Sequence, residues 1–176
     1  MTDKLELERQ LSDGLGNEVG SEAFAAYCER HNVRSAPFLT VPDDETASLL
    51  ARHLAPRITG KTIVEIGGGI GLLSLHMAQV AKRVYCIEAN PVWSFAFTEL
   101  LLERKPKNLS FLFGAADEFI GCIKADVTIV CTHSDVQGMT LVGRQFSPNV
   151  IEAYGELVEA NPAAFDAFAR QARGSA

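Results

Sequence analysis

Residues 62–91 read TIVEIGGGIGLLSLHMAQVAKRVYCIEANP, and the order of residue types within them decides the fold. TIVEI is a short β-branched run of strand length. Glycines 67, 68, 69 and 71 follow it, LLSLHMAQVA has helical spacing, and RVYCIE returns to a strand. Strand, glycine turn, helix and strand make one βαβ unit, which requires parallel strands and a right-handed crossover. The glycines bare the backbone where a loop at the carboxyl end of a strand meets a ligand. Their spacing is informative: Gly67, Gly69 and Gly71 form GxGxG, whereas a dinucleotide fingerprint places its third glycine three residues after the second, where this chain has Leu72.

Working outward, a second unit follows. PVWSFAFTELLLERK reads as a helix, NLSFLF as a strand, AADEFIGCI as a short helix and ADVTIVC as a fourth strand. The alternation predicts an α/β fold, a Rossmann-like, mostly parallel sheet with helices on both faces. Past Cys131 it fades: MTLV at 139–142 reads as a fifth strand, and residues 147–173 as two helices broken at Asn161 and Pro162. The sheet is therefore expected to be truncated, with about five strands. Upstream lie candidate helices at 3–11 and 21–31, the irregular VRSAPFLTVP, and DDETASLLARHLAPR, whose Leu49, Leu50 and Leu54 share a face. These divide one domain into an N-terminal helical cover (1–57), a cofactor-binding α/β core (58–138) and a C-terminal part (139–176) with a short strand and helices.

A chain of 176 residues, 47% of them hydrophobic and 22% charged, has the make-up of an ordinary globular domain with a single core. It has no apolar run long enough for a membrane span, and its N-terminus is charged where a signal peptide is apolar, so a cytoplasmic location is expected. Cys28, Cys86, Cys122 and Cys131 form no CxxC pair and read as buried free thiols. The net charge of −6 argues against nucleic acid as a partner. The one basic cluster, Arg104, Lys105 and Lys107, reads as a helix C-terminus meeting its dipole.

Two acids qualify the glycine loop. Glu88 ends the second strand, seventeen residues after Gly71, where a carboxylate can accept hydrogen bonds from two vicinal ribose hydroxyls. Glu65 stands two residues before Gly67; it either faces a cationic ligand or ties down the loop through backbone N–H groups. With these residues in view, the stretch from Thr62 to Cys131 resembles the class I S-adenosylmethionine-dependent methyltransferases, VEIGGGIG looking like their first motif and CIEANP like their second. The resemblance implies S-adenosylmethionine as cofactor, with Glu65, Gly67, Gly68, Gly69 and Gly71 around its methionine part and Glu88 and Ala89 at the ribose. It further implies Ala116 and Asp117 at the adenine and Cys131 at the end of the fourth strand. Asp117 lies two residues later than the family's adenine-binding acid, so it either reaches the adenine or caps the short helix.

Methyl transfer from a sulfonium asks the protein mainly to align the acceptor and exclude water, with a base where the acceptor must lose a proton. His133, after the fourth strand, is the candidate base, and Asp135 the residue that orients it; both are equally compatible with loop hydrogen bonding. Tyr27, Phe38 and Thr132 are candidate substrate contacts, and no metal site is assigned, although Asp126, His133 and Asp135 lie near one another in sequence. The absence of an Asn/Asp-Pro-Pro-Tyr motif after the fourth strand disfavours nucleobase amino groups. A small-molecule methyltransferase follows as the leading expectation. Its alternatives are attack on the aminocarboxypropyl chain of the same cofactor, or a non-catalytic cofactor-binding subunit completed by a partner chain. The unpaired sheet edge suggests a homodimer.

Overall fold

A computed structural model describes residues 44–89, 91–131 and 136–163. The first described element is helix α1 (Asp44–Ile58), followed by β1 (Thr62–Ile66), α2 (Leu72–Met77), β2 (Arg83–Glu88) and α3 (Pro91–Arg104). Next come β3 (Leu109–Phe113), a 3₁₀ turn (Ala116–Phe119), β4 (Val127–Val130), α4 (Val136–Phe146), β5 (Val150–Glu152) and α5 (Ala153–Ala160). All strand pairs are parallel, in the order β3-β2-β1-β4-β5. The Rossmann-like fold expected from the alternation is the fold observed.

The short, nearly continuous apolar strands are explained by burial on both faces. On one face Ile63, Val84, Cys86, Leu109, Val127 and Ile129 pack with α1, α2, α3 and α5. On the other, Val64, Ile66 and Ile87 meet Phe146, Met139 and Val142 of α4. Helix α1 is part of the core and not merely a lid: Leu50, Leu54 and Ile58, spaced at i, i+4 and i+8, are at most 1% exposed. Phe97 and Trp93 of α3 are also core residues, Phe97 meeting Phe111 edge-on at 5.1 Å.

Two expectations for the C-terminal part are corrected. MTLV at 139–142 lies inside α4, because Met139, Val142 and Phe146 fall on one helical stripe that covers the sheet. The fifth strand is instead Val150–Glu152, inside the stretch expected to be helical; β-branched Val150 and Ile151 favour a strand and pair with Thr128 and Ile129. The divisions drawn at 57/58 and 138/139 both fall within helices, α1 and α4. Of the described cysteines, Cys86 and Cys131 are buried and Cys122 is exposed. No helix among the described residues is long and apolar enough to cross a membrane.

Helices α1 and α5 are tied together by a charged clamp. Both oxygens of Glu156 accept from the Arg57 guanidinium, one of them at 2.7 Å, and His53 Nε2 lies 3.0 Å from the same carboxylate. The Arg57 hydrogen bonds hold the Glu156 carboxyl below the usual carboxylate range.

Candidate functional site

The carboxyl ends of β1, β2, β3 and β4 converge on the glycine loop. Gly67, Gly69 and Gly71 have φ of 75°, 57° and 81°, a left-handed backbone that glycine adopts without a Cβ clash. The loop folds over the end of β2: the N–H groups of Gly67 and Gly68 both donate to the Ile87 carbonyl, at 2.9 and 3.3 Å. The Gly69 N–H then donates to the Glu88 side chain at 2.9 Å, in a buried setting. Glu88 is only 8% exposed, so its carboxylate stands at the end of β2 already oriented by the loop.

Gly68 and Gly71 are required by packing as well. A Cβ at Gly68 would lie 2.0 Å from Cys86 Sγ, and one at Gly71 would lie 2.0 Å from the Phe97 ring. The loop thus rests directly on the core beneath it.

Glu65 lies under this loop, 1% exposed. It accepts a hydrogen bond from Ser74 Oγ, in the first turns of α2, and one from Cys131 Sγ at 3.4 Å. Its bonds therefore go to side chains from α2 and from the end of β4, and not to the loop amides. Burial pushes its pKa up, against the opposing effect of hydrogen bonds from Ser74, Cys131 and Cys86. Burial also pushes the Cys86 and Cys131 thiols well up, with the Glu65 charge adding to the effect. Both thiols are held protonated.

At the end of β3, the Gly114 N–H donates to the Glu88 carbonyl at 3.1 Å and brings Ala116 to a buried position. The 3₁₀ turn has Ala115 as its N-cap, so Asp117 does not cap it; Asp117 is exposed within the first turn. Ala89 is exposed directly after β2. The Cys131 N–H donates to the Ile66 carbonyl at 2.9 Å and sets the end of β4 beside the loop. Asp126 is at the opposite end of β4, where its carboxylate accepts the Thr62 N–H at 2.8 Å. Thr132, His133, Asp135, Tyr27 and Phe38 lie outside the described residues.

One residue at this end went unread in the sequence. Tyr154, in the first turn of α5, donates from its hydroxyl to the Cys131 carbonyl at 3.4 Å. Burial raises its phenol well above the ordinary range, and the neighbouring acidic groups of Cys131, Glu65 and Glu88 act in the same direction. It is a neutral donor at physiological pH. An aromatic two residues past the end of a strand in a parallel sheet is the signal that would have found it, and that signal depends on locating β5.

The carboxyl ends of four parallel strands thus gather a left-handed glycine loop, an oriented carboxylate and a buried acid. No protein-family model matches the chain. Over 52 residues it is 38% identical to a Methanosphaera stadtmanae protein described as ribosomal RNA small subunit methyltransferase A, a match covering 30% of this chain and 19% of that one. It is 21% identical over 164 residues to ribosomal RNA small subunit methyltransferase G of Nitrosomonas eutropha, covering 84% of this chain and 77% of the relative. A Pyrococcus horikoshii crystal structure described as an RNA methyltransferase superposes with a TM-score of 0.51 at 26% identity, over 60% of this chain and 56% of that one. In sequence and in fold the chain is similar to S-adenosylmethionine-dependent methyltransferases of class I. It spans less than two-thirds of the first of these relatives and of the crystal structure.

The relatives correct one expectation about this chain. Nucleic acid was expected to be an unlikely partner because the charge sums to −6. Two relatives named for ribosomal RNA and a structure named for RNA overturn that. A net charge fixes the far field of a protein and leaves the local distribution open.

Proposed function

We propose that the chain binds S-adenosylmethionine over the glycine loop and directs its methyl group to an acceptor carried on RNA. The observation that carries the cofactor reading is Glu88: a carboxylate at the end of β2, bonded to Gly69 N–H at 2.9 Å, beside a backbone left bare by three left-handed glycines. These residues fit the cofactor. A ribose diol suits the Glu88 carboxylate, a methionine chain suits the loop, and the buried Ala116 offers a small surface to an adenine ring.

Bound S-adenosylmethionine supplies a methyl group already activated by its sulfonium. The chain's own work is then placement. Gly67 and Gly69 let the backbone approach, and Glu88 holds the ribose. Glu65, joined to Ser74 and Cys131, keeps the loop, α2 and the end of β4 in fixed relation. Tyr154 holds the end of β4 through the Cys131 carbonyl. His133 accepts an acceptor proton and Asp135 orients the imidazole, with Thr132, Tyr27 and Phe38 contacting the acceptor. The RNA acceptor rests on the named activities of the three similar proteins.

Calorimetric titration with S-adenosylhomocysteine tests the cofactor, with binding expected; no binding at millimolar ligand removes the whole reading. Incubation of the protein with methyl-labelled S-adenosylmethionine and separated cellular RNA and small-molecule fractions tests the acceptor. Label in RNA is expected. Label confined to small molecules would keep the cofactor and transfer the acceptor to that class.

A further inference from the structure

In a wholly parallel sheet, all connections that lead into strands emerge along one rim, opposite the glycine loop. In this chain that rim carries cations on four neighbouring connections. Lys61 precedes β1, Lys82 precedes β2, Arg104, Lys105 and Lys107 precede β3, and Lys124 precedes β4, with Arg83 opening β2. Seven of the ten Lys and Arg among the described residues are here, in a chain whose net charge is −6. Lys82, Lys105, Lys107 and Lys124 are exposed, and none forms an ion pair with a described residue. The acids nearby are engaged: Asp126 accepts the Thr62 N–H at 2.8 Å, and Glu103 lies 3.7 Å from Arg104.

The fold's own electrostatics do not account for the whole row. Arg104 and Lys105 close α3, where helix carbonyls favour cations. Lys82 comes five residues after α2 ends at Met77, and the connection before Lys124 holds only the 3₁₀ turn ending at Phe119.

The connections are also stitched to one another. The Lys82 N–H donates to the Lys61 carbonyl at 2.9 Å. Asn108 Nδ2 donates to the carbonyls of Ala78 and Ala81 at 2.8 and 2.9 Å, joining the β3 connection to that of β2. The Asp126 N–H donates to the Thr62 carbonyl at 2.8 Å, joining the β4 connection to that of β1. The lysines therefore rise from a rigid base. With strands about 4.8 Å apart, the row from β3 to β4 runs across roughly 14 Å before side-chain reach is added.

We propose that this rim binds the phosphodiester backbone of single-stranded RNA, as an anchor separate from the methyl-transfer end. The inference rests on the reading that the acceptor lies in RNA. A regular row of ammonium groups without an ion-pair partner among the described residues suits a polymer with one charge per repeat. The opposite end presents Glu88, Asp117 and Glu118, so a polyanion is drawn to the rim first. Strands of five or six residues separate the two ends by roughly 16 to 20 Å, which makes anchor and target two points on one RNA.

The test is fluorescence anisotropy of a labelled 20-nucleotide oligouridylate, titrated with the full chain at several salt concentrations without cofactor. Four to six phosphate contacts predict a slope of log K against log salt of about −3 to −4. The triple variant Lys82→Glu/Lys107→Glu/Lys124→Glu should bind at least tenfold more weakly and lose about two from the slope. Arg52→Glu, on α1 and away from the rim, should leave both unchanged. A melting temperature equal to wild type shows that the triple variant is folded. Wild-type affinity and slope in that variant would overturn the proposal, as would polyglutamate competing as well as RNA at equal charge, which would assign the rim to an acidic protein. RNA binding that depends on the rim without RNA methylation would leave this inference standing and remove the acceptor reading. RNA methylation undiminished in the triple variant would do the reverse.

Discussion

Gly68 concentrates the local physics of the site, because its missing Cβ is what allows the loop to lie on Cys86. Gly68→Ala is expected to cost about 1 to 3 kcal/mol of stability through overpacking and to weaken S-adenosylhomocysteine binding. Since the obstructing atom is Cys86 Sγ and the next nearest is Glu65 Oε2 at 3.4 Å, Cys86→Ala added to Gly68→Ala should restore a large part of both. A double variant no better than the single would show that the contact is not the cause. Glu88→Ala should weaken binding of the same ligand by about 1 to 3 kcal/mol, the range for a hydrogen bond to a charged group, as read by calorimetry. Glu65 makes a prediction in pH. Its carboxyl titrates higher in the fold than in the unfolded chain, so its contribution is complete below the usual carboxylate range and fades as pH climbs through the raised value. Glu65→Gln should therefore flatten the decline of melting temperature over that interval, and an unchanged profile would count against a raised Glu65 titration. The glycine turn at Gly67, Gly69 and Gly71 and the acid that ends β2, Glu88, were legible in the sequence as features of the backbone. The true partners of Glu65 were not, because Ser74 and Cys131 reach it from elements 9 and 66 residues away in the chain.

Elements differ in how plainly the sequence announces them, and the difference follows burial. Strands β1 to β4 are apolar runs bounded by glycine or charge, and each could be read directly. Three-residue β5 carries too little pattern of its own; it exists because Val150 and Ile151 complete a ladder with β4. Losing it in the reading displaced α4 and hid Tyr154. The clamp between α1 and α5 was equally invisible, since Arg57 and Glu156 are 99 residues apart. Glu156 titrates below its ordinary value, so the clamp's contribution is present above the unfolded carboxylate pKa and is lost as pH falls through the folded one. Glu156→Gln is expected to lower stability by about 1 kcal/mol at pH 7, a figure discounted for the partial exposure of Arg57, and to converge with wild type in acid. Urea melts at pH 7 and pH 3 compare the two; a gap that persists at the lower pH would refute the clamp as the source.

For the whole molecule, the sheet ends on one side at β5, whose outer edge pairs with no strand among the described residues. A second copy meeting that edge is the expectation, and sedimentation equilibrium at micromolar concentration should return twice the chain mass; a monomer would remove it. The same molecule also contains its own timer. Cys122 is open to solvent, while Cys86 and Cys131 are shut beneath the glycine loop and its supports. A thiol-specific reagent should therefore label Cys122 at once and reach the other two only as often as the loop and its supports come apart. In a Cys28→Ser background, the slow phases of such labelling would count openings per second. A ligand seated on the loop would lengthen those phases and leave the fast one untouched, so occupancy could be followed before any acceptor is known.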